Sequence, residues 1–396
     1  MLRFAQHDTY SFARSTPMSV ISPLTVMIVA GERSGDVYGG RLAAALRARR
    51  PDLALFGCGG EAMREGGVET VADASQFAMV GISEVLSGLP GAYRAFQSLA
   101  RAAARRRPRL TILIDSPSLN MRLARRLKGL GIPVVYFVSP QIWAWKKWRL
   151  RQLPALVDRM LCIFDFEEEI YRKAGIPADY IGHPLVDTVA PRLSRNEFFA
   201  RYGLDPELPT VALLPGSREI EIDYILPPLL GAIRKLSERR GVQFLLAAAP
   251  ALNAARLRAR LQKQLQPKHR VQVATDAAYD ALAHSTVAVV ASGTATVEAA
   301  LLGRPMVVVY RVSPFTAFFA RRMVDVPFFS MVNLLAGKKV VDELIQDDLT
   351  APRLAAAVAA LLDHPELQSK MKEELSKVQC RLGEGGAIER AAAIVL

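Results

Sequence analysis

The run Ala291-Ser-Gly-Thr-Ala-Thr-Val-Glu-Ala-Ala-Leu-Leu-Gly303 carries the residue types of an anion site. It lies between the apolar runs 287–290 and 306–310, a strand, small-residue turn, helix, strand layout. Ser292, Gly293 and Thr294 are small enough to let a phosphate reach backbone N–H groups at a helix start, where the helix dipole favours negative charge. Glu298 falls about a turn into that helix, within reach of ribose hydroxyls. The pattern suits a nucleotide-sugar binder. A tight helix–sheet turn with no ligand has the same residues, and this run alone does not separate the two.

Three further loops follow apolar runs, where open parallel α/β sheets place their ligands. In Leu214-Pro-Gly-Ser-Arg218, Gly216, Ser217 and Arg218 cover the start of a helix. An arginine there offers a permanently charged, two-pronged contact to phosphate oxygens. Asp115 ends the run 110–114 and precedes Ser116-Pro117. A carboxylate at that point suits a general base for a sugar hydroxyl, and equally a turn-initiating aspartate. Gly31-Glu-Arg-Ser-Gly-Asp36 lacks the G-x-G-x-x-G spacing and puts acids where a pyrophosphate would sit. It reads as a sugar or acceptor site built from Glu32, Ser34 and Asp36. Helix capping explains Asp36 and leaves Glu32 unexplained, so Glu32 joins Asp115 and Arg218 as a candidate catalytic group.

All three tryptophans fall in Ser139-Pro-Gln-Ile-Trp-Ala-Trp-Lys-Lys-Trp-Arg149, beside Lys146, Lys147 and Arg149. Aromatic faces next to cations suit a sugar, a base or a headgroup, although at least one ring is expected in the core. Phe315, Phe318, Phe319 and Met323, with Arg321 and Arg322, read as a basic membrane-surface helix or as an ordinary packed one. The glycine-broken stretch 77–89 reads as an acyl-chain groove or as core.

These loops need a frame, and the apolar runs supply one. Strands are expected at 25–30, 53–57, 110–114, 134–138, 160–164 and 180–182, then at 210–214, 243–248, 271–274, 287–290 and 306–310. Helical patterns alternate with them, which is the rhythm of doubly wound parallel sheets. The expected fold is α/β, two Rossmann-like domains facing across a cleft. Residues 1–22 form a basic extension, 23–186 an acceptor-binding domain, 187–208 a linker and 209–365 a nucleotide-sugar domain. Helices in 366–396 are expected to pack back on the N-terminal domain.

Composition narrows the partner. Lys and Arg number 51 against 38 Asp and Glu, a net charge of +13, which calls for nucleic acid, a phosphorylated substrate or an anionic membrane. Cys58, Cys162 and Cys380 are too scattered for a disulfide framework or a thiolate metal site, so a reducing compartment is expected. No H-x-x-x-H pair and no Asp-x-Asp pair occurs, so neither a metal nor another cofactor is expected. A leaving diphosphate would instead be held by Arg218, backbone amides and a helix dipole. No apolar run reaches the roughly 18 residues of a membrane span.

In order along the chain stand Ala30-Gly-Glu-Arg-Ser-Gly-Asp36, Met79-Val-Gly-Ile82 with Glu84, Ile114-Asp-Ser-Pro117, Val138-Ser-Pro-Gln-Ile-Trp-Ala-Trp145, Ile181-Gly-His-Pro184, Leu214-Pro-Gly-Ser-Arg218, Ala291-Ser-Gly-Thr294 with Glu298, and Asn333-Leu-Leu-Ala-Gly337. This ordered set resembles the lipid-A-disaccharide synthase family from about residue 24 to 350. The resemblance implies the GT-B architecture and an inverting glycosyltransferase on the cytoplasmic face of the inner membrane in Gram-negative-type bacteria. It implies UDP-2,3-diacylglucosamine and 2,3-diacylglucosamine 1-phosphate as substrates, with a β-1,6-linked disaccharide and UDP as products. By position, Asp115 matches the family's candidate base, Arg218 its essential arginine, and Asn333 falls in its C-terminal site motif. Gly81, Glu84, Ser139, Gln141, Trp143 and Trp145 join Ser34, Asp36 and Asn333 on the acceptor or lipid side. Where the family often reads Asp-x-Pro-Asp-Phe-Asn, this chain has Asp115-Ser-Pro-Ser-Leu-Asn120, so a second carboxylate is replaced by Ser118. The basic N-terminal extension has no counterpart.

Peripheral contact with an anionic leaflet would account for the charge without a membrane span, and no nucleic-acid partner is expected. A second copy of the chain, forming a homodimer, is a further candidate partner. Two other readings remain: a GT-B enzyme on UDP-N-acetylglucosamine, either a peptidoglycan-type transferase or a 2-epimerase, and a basic RNA- or membrane-binding scaffold. The arginine-rich stretch 101–109 supports the last, which explains none of the strand-end loops.

Overall fold

Short runs of Val, Ile, Leu and Ala, bounded by glycine and polar turns, become the buried strands of two parallel sheets. The computed structural model describes residues 24–76, 82–140, 147–239, 241–317 and 326–396, the side chains of 82–90, 147–149 and 239 excepted. The first sheet comprises β1 (Thr25–Ala30), β2 (Ala54–Gly59), β3 (Glu69–Asp73), β4 (Leu110–Ile114), β5 (Val134–Phe137), β6 (Arg159–Cys162) and β7 (Ala178–Tyr180). Its order is β3-β2-β1-β4-β5-β6-β7. The second comprises β8 (Thr210–Leu214), β9 (Gln243–Ala248), β10 (Val271–Thr275), β11 (Val287–Ala291), β12 (Met306–Tyr310) and β13 (Asp342–Ile345), in the order β10-β9-β8-β11-β12-β13.

Strand order reverses between β1 and β4 and again between β8 and β11, and ligands of open parallel sheets bind outside the carboxyl ends at such points. Register puts the loops level. Ala30 pairs with Ile114, so Gly31 and Asp115 leave the first sheet side by side. Leu214 pairs with Val290, so the Pro215–Arg218 and Ser292–Thr294 loops leave the second sheet together. All four candidate loops therefore border the two switch points.

Two strands escape the sequence pattern. β3 and β13 are edge strands, and their Glu69, Asp73, Asp342 and Glu343 break the apolar run that marks a central strand. Within 187–208 the chain forms a helix, Arg195–Tyr202, opened by a capping box in which Ser194 and Glu197 bond each other's backbone N–H groups. Asp280 ties this segment to the second sheet by accepting from the N–H groups of Arg192 (2.7 Å) and Leu193 (2.9 Å).

The last helices, Pro365–Arg381 and Ala387–Val395, return to the first sheet. Arg381 grips Asp165 with two nitrogens, at 2.8 and 2.9 Å. Tyr180 Oη donates to the Arg381 carbonyl at 2.9 Å, and Arg49 pairs with Glu389 at 2.9 Å. One apolar cluster consequently runs from Val26 and Ile28 through Ala288 and Val308 to Leu382 and Val395. Among the described residues no helix is long and apolar enough to cross a membrane. Residues 1–22, Gly81, Gln141, Trp143, Trp145, Phe318, Phe319, Arg321, Arg322 and Met323 lie outside the described residues, as does the side chain of Glu84.

Candidate active site

The chain after β4 is bent sharply. Asp115 (φ 46°) and Ser116 (φ 41°) both take left-handed backbone, which costs non-glycine residues roughly 1–2 kcal/mol each. The turn is held by Asn120, fully buried, whose Nδ2 donates to the carbonyls of Ile114 (2.9 Å) and Asp115 (2.8 Å). Tyr136 Oη also donates to the Asp115 carbonyl, and the Asp115 N–H reaches the Phe137 carbonyl at 3.2 Å. Pro117 then starts the helix Pro117–Lys128 with a fixed φ. The Asp-Ser-Pro-x-x-Asn spacing is thus a device for orienting Asp115. Gly31 permits it, since a Cβ there would press on the buried Ser116 side chain.

The Asp115 carboxyl is half-buried, and its pKa is pushed up to about 7. Burial is the main cause, the negative charge of Glu32 adds to it, and the Ser116 N–H works against it. Glu32 is exposed at the end of β1 and reaches across the cleft to Arg218, Oε2 to Nη2 at 3.9 Å. One contact thereby spans the carboxyl ends of the two sheets.

Arg218 immediately precedes the helix Glu219–Arg239, its carbonyl accepting from the Glu221 and Ile222 N–H groups, so its own N–H and that of Ser217 lie at the helix start. Both donate to Glu221 Oε2, at 3.2 and 2.8 Å. In the neighbouring loop Ser292 Oγ donates to the Phe329 carbonyl at 3.0 Å, and Gly293 (φ 149°) precedes the helix Thr294–Leu301. A Cβ on Gly293 would meet nothing within 4 Å, so open space lies in front of that helix start, with Thr294 exposed beside it. Glu298, half-buried in the same helix, is pushed up to about 7 by burial, and a 3.4 Å hydrogen bond from Tyr279 Oη opposes the shift.

Tyr38 joins the two halves. It lies on the helix Arg33–Arg49, against Phe137 (6.4 Å between ring centroids) and edge-on to His183 (6.5 Å). Burial raises its phenol well above the usual range, and the charges of Glu298, Tyr279 and Asp115 raise it further. Carboxylates of both domains therefore act on this one phenol. His183 is pushed down to about 3 by burial and is neutral, its Nδ1 accepting from the Leu185 N–H.

Not every nominated side chain faces this cleft. Asp36 caps the short helix Glu61–Glu65 instead of its own, accepting from the N–H groups of Gly60 (2.5 Å), Ala62 (3.2 Å) and Met63 (3.2 Å). Ser139 is buried and donates to Glu167 at 2.6 Å. Asn333 is fully buried in the second domain. Its Oδ1 takes the N–H groups of Val340 (2.7 Å) and Val341 (3.0 Å), while Nδ2 donates to the Val341 carbonyl (3.0 Å) and Glu343 (2.8 Å). Those polar side chains are engaged in folding the loops. Ser34 is half-buried in the first turn of Arg33–Arg49. Sequence reading singled out none of Tyr38, Glu221 and Tyr279, and met Asn120 only as the end of the Asp115–Asn120 motif. Of these, Glu221 carried a signal: a Glu at the third position of a helix after Ser-Arg is a capping pattern.

The family model described as lipid-A-disaccharide synthetase matches residues 26–395. The lipid-A-disaccharide synthase of Myxococcus xanthus is 45% identical over 376 residues, covering 95% of this chain and 97% of that protein. The corresponding protein of Geobacter metallireducens is 43% identical over 372 residues, covering 94% and 96%. Among solved structures, Acinetobacter baumannii MurG superposes with a TM-score of 0.57 at 13% identity, over 94% of this chain and 98% of that one, a likeness of fold alone. The two facing parallel sheets are those of a GT-B glycosyltransferase, and the chain belongs to the lipid-A-disaccharide synthase family.

Proposed function

We propose that this chain transfers 2,3-diacylglucosamine from UDP-2,3-diacylglucosamine to the 6-hydroxyl of 2,3-diacylglucosamine 1-phosphate, releasing UDP and a β-1,6-linked disaccharide. The observation that carries the mechanism is the 3.9 Å contact of Glu32 with Arg218. It sets a carboxylate pair, Asp115 and Glu32, opposite an arginine at a helix start. A base and a leaving-group site on opposite walls are what a single displacement requires.

Asp115 accepts the proton of the acceptor hydroxyl as its oxygen bonds to the anomeric carbon. The bond from that carbon to the diphosphate oxygen breaks on the opposite face, so configuration inverts. A base titrating near 7 is matched to this task at neutral pH. Negative charge developing on the diphosphate is met by Arg218, by the N–H groups of Ser217 and Arg218, and by the open helix start at Gly293 and Thr294. The hydrogen-bonded pair Tyr279 and Glu298, on the helix that follows the Ser292–Thr294 loop and its neighbour, supports a role for Glu298 in holding the ribose hydroxyls.

Acyl chains need apolar surface at the mouth of such a cleft. Val37 (38% exposed), Ile220 (41%), Phe315 (64%) and Phe329 (45%) are exposed on or beside the cleft loops. These side chains and the +13 charge support peripheral contact with an anionic membrane on its cytoplasmic side.

UDP release in detergent micelles containing EDTA tests the reading. Release that requires both diacylated substrates and yields a disaccharide is the expected outcome. Turnover of UDP-N-acetylglucosamine without an acylated acceptor would keep the fold and overturn the reaction.

A further inference from the structure

Glu221 holds the donors a diphosphate would need. Its Oε2 accepts from the Ser217 N–H at 2.8 Å and the Arg218 N–H at 3.2 Å, while Oε1 lies 3.9 Å from Arg218 Nη1. These amides immediately precede a 21-residue helix, at the end where the dipole favours an anion. Gly216 has φ 126°, and a Cβ there would run into the Glu221 side chain, so the turn is shaped around this carboxylate. The Glu221 side chain is only 16% exposed. Arg218 also contacts Glu32 at 3.9 Å. Both amides and the guanidinium are thus engaged by carboxylates of the chain itself. A glutamate reaching back from the third position of a helix is ordinary capping. Here, however, cap and ligand compete for the same N–H groups.

We propose that Glu221 is an internal occupant of the diphosphate subsite, which an incoming nucleotide displaces, and that it thereby limits the affinity for UDP. The proposal rests on reading the Arg218 loop as the site of the UDP diphosphate. Exchange of one anion for another keeps both amides paired with a carboxylate or phosphate oxygen at either stage. As UDP departs, the carboxylate returns to Ser217 and Arg218, so product release does not open a bare anion site.

Calorimetric titration of the full chain in EDTA with UDP and with uridine tests this, using wild type, Glu221→Gln, Glu221→Ala and Arg218→Ala. Glu221→Gln keeps an oxygen to accept from both amides and loses only the charge. It is expected to bind UDP about tenfold more tightly than wild type, and uridine equally, because a like charge beside the diphosphate is gone. Glu221→Ala, with a lower Tm, reads the same direction should the glutamine variant fold poorly. UDP affinity unchanged or weakened in both variants, with uridine unaffected, overturns the proposal. UDP binding by Arg218→Ala as tight as by wild type would overturn the placement of the diphosphate instead.

Discussion

Glu32 and Arg218 meet across the cleft at 3.9 Å, the side chains 47% and 51% exposed. An exposed pair of this length contributes under about 1 kcal/mol, so a diphosphate can take the arginine from its partner at little cost. Glu32 has a second effect, because its charge helps to raise the pKa of Asp115. Replacing Glu32 with Gln should therefore move the acid limb of the kcat/KM profile to lower pH. A limb that stays in place or moves upward would separate Glu32 from the base.

The raised carboxyls fix the pH behaviour. Asp115 and Glu298 titrate at about 7 in the folded chain, against about 4 when unfolded. The native state accordingly binds more protons than the unfolded state between those values, so this contribution to stability is greatest below about pH 4 and is lost as pH rises through about 7. Asp115→Asn and Glu298→Gln should each raise Tm near pH 8 and do so less near pH 5. Activity runs the other way, rising with pH through about 7 as Asp115 ionises. Equal Tm gains at the two pH values would show that neither carboxyl is perturbed.

Arg218 carries a test of geometry as well as charge. Arg218→Ala should weaken UDP binding by about 10- to 100-fold, the range of lost hydrogen bonds to charged groups. Arg218→Lys should recover only part of this, because an ammonium cannot make the two-pronged contact. Full recovery by lysine, measured by UDP titration, would reduce the arginine to a point charge.

Asn333 is expected to fail differently. Asn333→Leu would leave the buried Val341 N–H without an acceptor, at about 1–3 kcal/mol, and the half-buried Val340 N–H as well, at a smaller cost. Thermal melts should show a large loss of stability, while the folded fraction binds UDP with near-normal affinity. Stability unchanged alongside lost activity would return Asn333 to the cleft.

The central strands were legible because they are continuous apolar runs, and β1, β4, β8, β9 and β12 fall on the expected bounds. The edges were not, since β3 and β13 have acidic residues where a central strand has valine. The helix Arg195–Tyr202 announces itself through Ser194 and Glu197, a pattern hidden in a polar stretch read as linker. In the candidate site, Glu32, Asp115, Arg218 and Glu298 stand out in the sequence by their places at strand ends and helix starts. Asp36, Ser139 and Asn333 look the same in sequence, because the residue types that bind ligands also cap helices and close loops. Tyr38 gave no signal: an aromatic on an amphipathic helix is usually core, and Tyr38 is indeed buried, set apart only by the charges of both domains that act on it.

The most direct test of the account is the turnover of Asp115→Asn set beside its UDP affinity. The variant should lower kcat by about 100- to 10,000-fold, the usual contribution of a positioned base, with the UDP Kd within about twofold of wild type. Near-normal turnover in that variant would contradict Asp115 as the base, and with it the division of the cleft into a proton-accepting wall and a diphosphate-holding one.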